Sequence, residues 1–114
     1  MPTQQIPQDQ WEPFLADFSA FNQTRAVNVE VESPEVGAQT MVDNRPLLAV
    51  EPDLENGEQQ SIIVIAGDTA GDTPSSITHL ALNPRTIWLK EDNNGRAEAL
   101  NIETSDGRTI IQFV

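Results

Sequence analysis

The chain has 114 residues, with 18 acidic and six basic side chains, no cysteine and a formal net charge of −12. That length suits one domain around one core, and the missing cysteine excludes disulfides, zinc–thiolate sites and thiol catalysis. One lysine and five arginines also argue against direct nucleic-acid binding, which needs clustered cations.

The charge is uneven. Residues 1–84 hold 13 acids and two bases, whereas residues 85–114 hold five acids and four bases. An acidic surface keeps a protein soluble, and it can also face a basic partner. Residues 1–10 are polar, carry no base and are expected to be flexible up to residue 8. They do not read as a secretion signal, so a cytoplasmic location is expected. The longest apolar run, residues 62–66, is far shorter than a membrane span, and no membrane association is expected.

The clearest local element is a helix. Trp11, Phe14, Leu15, Phe18 and Phe21 recur at helical spacing, so an aromatic stripe packing on a sheet is expected. Asp9 or Glu12 is placed to cap its start, and Asn22 to end it. The period then changes to two. Val27, Val29 and Val31 alternate with Asn28, Glu30 and Glu32, as in a half-buried strand with an acidic outer side.

A turn over residues 33–37 and a returning strand over residues 38–43 follow. Asn44-Arg45-Pro46 reads as a break before an apolar run over residues 47–50. Ile62, Ile63, Val64 and Ile65 are apolar on both sides, which predicts a central strand covered on both faces, by the helix on one. A tandem Ala-Gly-Asp-Thr repeat spans residues 66–73 and reads as a flexible loop. Residues 74–82 fit either a short helix or a strand carrying Leu80 and Leu82 on one face. The final third reads as a three-stranded antiparallel meander, with turns at Asn94-Gly95 and at Ser105-Asp106-Gly107.

The expected fold is therefore α+β: one amphipathic N-terminal helix on a twisted antiparallel β-sheet or partly closed roll, forming a single domain over residues 1–114. A small closed barrel with the helix as a plug is the alternative.

Chemical motifs are sparse. His79 is the lone histidine, and no nucleophile elbow is present. Glycine positions that would fit a calcium loop lack carboxylates at its ends, and no phosphate loop occurs. No cofactor or metal is expected.

The most distinctive stretch is His79-Leu80, then Asn83-Pro84-Arg85-Thr86-Ile87-Trp88-Leu89-Lys90-Glu91-Asp92. Together with Trp11 and Pro46-Leu47-Leu48 it resembles a small single-domain bacterial family catalogued only as a domain of unknown function. The resemblance implies no assigned activity and no catalytic residue, and the repeat is not part of it. It draws attention to His79, Arg85 and Trp88 as candidate ligand-binding residues. Their structural alternative is an Arg85–carboxylate pair and a Trp88 filling the core under the helix.

Three functions are then in view. The first is an interaction or accessory module with an unidentified protein partner, or a homodimer formed through a free sheet edge. The second is a small-molecule or enzymatic site near His79 and Arg85, with residues 68–73 as a lid. The third is an acidic decoy of a nucleic-acid-binding protein.

Overall fold

The computed structural model describes residues 3–35, 37–55, 58–68, 75–105 and 107–114. Eight strands and one helix follow in order: β1 (Thr3–Ile6), α1 (Trp11–Asn22), β2 (Ala26–Ser33), β3 (Gly37–Glu55), β4 (Glu58–Asp68), β5 (Ser75–Leu82), β6 (Pro84–Glu91), β7 (Ala97–Thr104) and β8 (Gly107–Phe113). They form one antiparallel sheet in the order β1-β6-β7-β8-β2-β3-β4-β5. The sheet is open: β1 and β5 are its two edges, so the barrel alternative does not hold. Thr3–Ile6, inside the stretch expected to be flexible, forms β1 against β6. Residues 66–68 of the repeat, expected as a loop, belong to β4; its remaining residues lie outside those described.

β3 organises the architecture. Its first half pairs with β2, and its second half, from Leu47 on, pairs with β4. The expected break at residues 44–46 is a bend within this one strand. Asn44 adopts a left-handed φ of 52°, and its N–H is taken up by Asn28 Oδ1 at 2.7 Å. The pairing register slips on both sides of Val29. A bulge of this kind increases local bending without leaving the backbone donor unpaired.

The helix replaces β2 along the second half of β3. Ser19 Oγ donates to Val50 O at 2.9 Å and accepts from Val50 N–H at 2.8 Å, so one hydroxyl satisfies both backbone groups of a strand residue. Leu47 is held likewise by Thr24 N–H and Arg25 O. α1 therefore lies along the second half of β3, and its buried Trp11, Leu15 and Phe18 share one core with Ile62 and Val64 of β4. On β4, Ile62 and Val64 are buried, whereas Ile63 and Ile65 are only partly covered.

Only part of the aromatic stripe enters the core. Trp11, Leu15 and Phe18 are buried with Asn22, Phe14 is half-covered, and Phe21 is 85% exposed. The reason is angular: at about 100° per residue, Phe14 and Phe21 drift roughly 60–80° to one side of Trp11. Neither Asp9 nor Glu12 caps the helix; a short 3-10 turn, Gln8–Gln10, leads into it without a side-chain cap. Asn22 does end it, donating from Nδ2 to Phe18 O at 2.9 Å.

The core fills one face of the sheet, with Val27, Val29, Val50, Ile62, Val64, Ile87, Leu100, Ile102 and Ile111 fully covered. That face folds over on itself. β5 and β8 lie four places apart, which is roughly 19 Å in a flat sheet. His79 Nε2 nevertheless sits 3.2 Å from Thr109 Oγ1. At the β7–β8 turn, Gly107 has φ 153°, and a Cβ there would lie 1.9 Å from the carbonyl oxygen of Glu32. Only glycine permits that approach.

Candidate functional site

The structure places the three candidate residues in three different environments. His79, on β5, points to the folded-over face and meets buried Thr109. Burial holds its imidazole below the ordinary pKa. Arg85 is exposed at the start of β6 and forms no ion pair with any described residue, so the expected carboxylate partner is not found among them. Trp88 does not fill the core. It lies opposite buried Ile87 and Leu89, beside Gln5 and Asn101, and its Nε1 donates to Glu103 Oε1 at 2.6 Å. Alternation along β6 explains this, since its even positions face away from the core. None of His79, Arg85 and Trp88 lines the two clefts beside α1, the cleft at the β7–β8 turn or the one between β2, β3 and β8. The proposed lid, residues 68–73, lies almost wholly outside the described residues.

What the structure brings together is a sheet edge without Asp, Glu, Lys or Arg that bears exposed leucines. Of residues 74–82, whose pattern fits either helix or strand, 75–82 form β5, which among the described residues pairs only with β4. Directly opposed residues share a face, so Leu80 stands beside Ile63, and Leu82 beside Ser61. Leu80 is 49% exposed and Leu82 57%. β5 holds no Asp, Glu, Lys or Arg in a chain of net charge −12. Natural edges are normally shielded by charge, proline or brevity, and β5 has none of these along its eight residues. Strand spacing placed Leu80 and Leu82 on one face; nothing local showed that no further strand would cover them.

Among the described residues, no group of three or more His, Asp or Glu side chains is placed to hold a metal. No described helix is long and apolar enough to cross a membrane.

Among the described residues these features define an α+β protein: one short helix on an open eight-stranded antiparallel sheet, with a strand free of Asp, Glu, Lys and Arg at one edge. The chain belongs to a family of unknown function (DUF5335), whose model matches residues 2–114. This agrees with the resemblance carried by Trp11, Pro46 to Leu48 and His79 to Asp92. The chain is also similar to an uncharacterized protein of Aquifex aeolicus (strain VF5), with 26% identity over 111 residues, covering 97% of this chain and 90% of that one. No solved structure matches the chain.

Proposed function

We propose that this domain is a cytoplasmic, non-enzymatic accessory module that works as a homodimer, two copies joining antiparallel through β5. The sheet then reads as a twisted, partly closed roll whose open side is completed by the second copy. The observation that carries this reading is the uncharged β5 edge bearing exposed Leu80 and Leu82. Two copies, each with a net charge of −12, repel one another over most orientations. Contact through β5 places no carboxylate of one edge strand against a carboxylate of the other. It also pairs the free backbone groups of both edges and covers apolar side chains.

Size-exclusion chromatography with light scattering tests the proposal. The expected mass at micromolar concentration is twice the chain's 12.5 kDa. The double variant Leu80→Lys, Leu82→Lys should run as a folded monomer. A wild-type monomer up to about 1 mM would remove the basis for the reading.

A further inference from the structure

A second surface is independent of the β5 edge. A cleft of about 420 Å³ opens between the C-terminal half of α1 and the β6–β7 hairpin. We propose that it binds a small organic monoanion: a carboxylate on a flat or aliphatic apolar body.

Its walls have two characters. Phe14, Phe18 and Phe21 from α1, with Leu89 from β6, form the apolar side. Phe14 and Phe21 are the two stripe residues that drift to the same flank of the helix, and this flank borders the cleft. Phe21 is left 85% exposed there. A volume of this size falls within the usual range for small-ligand sites.

Arg25 and Arg96 supply the other side. Of the six cations in the chain, Lys90 and Arg108 are paired with Glu98 and Glu32. Arg25 and Arg96 form no ion pair with any described residue. Burial, and then repulsion from the nearby Arg96, hold Arg25 below its ordinary pKa. Asp92 attracts both arginines and offsets one of their two charges, and a monoanion in the cleft would offset the other.

The Arg25 guanidinium is also held in place. Its Nη1 donates to Asn22 Oδ1 at 2.7 Å, and its plane covers the Phe113 ring at 3.9 Å. Asn22 is itself fixed, through its bond to Phe18 O. One donor of the guanidinium is thus used and the others remain for a ligand. Across the cleft, Asp92 Oδ1 accepts the N–H groups of Asn94 and Arg96, which shapes the hairpin that carries Arg96. Asp92 offsets part of the positive charge, and Asp17 and Glu91 also border the cleft. These carboxylates repel polyphosphates, and so a singly charged ligand is favoured.

Isothermal titration and amide chemical-shift mapping with 2-naphthoate and decanoate test this, with 2-naphthalenemethanol as the neutral control. Saturable binding of one of the two anions is expected, with shifts at Phe21, Arg25 and Arg96. The neutral analogue, and the variants Arg96→Gln and Phe21→Ser, should each bind about tenfold more weakly. Arg96 and Phe21 are exposed, so both variants should keep the wild-type fold. No saturable binding below about 10 mM, equal binding of the neutral analogue, or unchanged binding by both variants would each overturn the proposal.

Discussion

The two ends of the sheet are built in opposite ways. β1 is four residues long, is followed by Pro7, and is tied inward: Trp11 Nε1 donates to Ile6 O at 2.9 Å, and both residues are buried. β5 is twice that length, uncharged, and shows Leu80 and Leu82 to solvent. Among the described residues both strands have one unpaired side, and both have an inward tie, since His79 of β5 meets Thr109, yet only β1 is short and followed by proline. Edge protection is therefore not a general property of this chain. It is present at one end and missing at the other, which points to use of the unprotected end.

The largest expected effect comes from releasing the protected end. Trp11→Ala removes a fully buried indole and its bond to Ile6, and should cost about 3–5 kcal/mol. Urea denaturation would show it, and amide exchange should rise first in residues 3–6. Next is the clamp between α1 and β3. Ser19→Ala leaves both Val50 backbone groups without their partner and should cost about 1–3 kcal/mol. Its signature is a lower denaturation midpoint with β5 association intact.

A smaller effect bears on β5 itself. Burial makes His79 bind its proton more weakly in the folded chain than in the unfolded one. The unfolded chain therefore takes up more protons once the pH falls below its ordinary value of 6.5. The contribution of His79 is fully present above that pH and is lost as the pH falls through it. Thermal melts from pH 8 to pH 5 should show a shallower loss for His79→Gln than for wild type. Smallest of all should be the stability change of Leu80→Lys in urea denaturation at a concentration too low for pairing, about 0.5 kcal/mol or less, because the side chain is half-exposed in the single copy.

Much of the framework was legible because it is local. The alternation at Val27, Val29 and Val31 and the turn at Asn94-Gly95 need only neighbours in the chain. β1 was not legible: Thr3, Gln4 and Gln5 carry no apolar signal, and the strand exists through backbone pairing with β6. Asn44 reads as a break because its left-handed turn suits a loop, and only the Asn28 side chain across the bulge keeps the strand continuous. Of the two readings of Trp88, ligand contact or core filling, the second fails because the parity of β6 sends the side chain outward. The cleft between Phe21 and Arg96 joins segments some 75 positions apart in the chain, so no spacing could announce it. Phe21 itself carried a usable signal, its angular drift from Trp11, which a list of helical positions conceals.

Amide hydrogen exchange at two protein concentrations tests the contrast between the edges most directly. If β5 is the joining edge, protection of residues 75–82 rises with concentration while residues 3–6 exchange at an unchanged rate. Exchange in β5 that is independent of concentration, or protection gained at β1 in its place, would contradict the account.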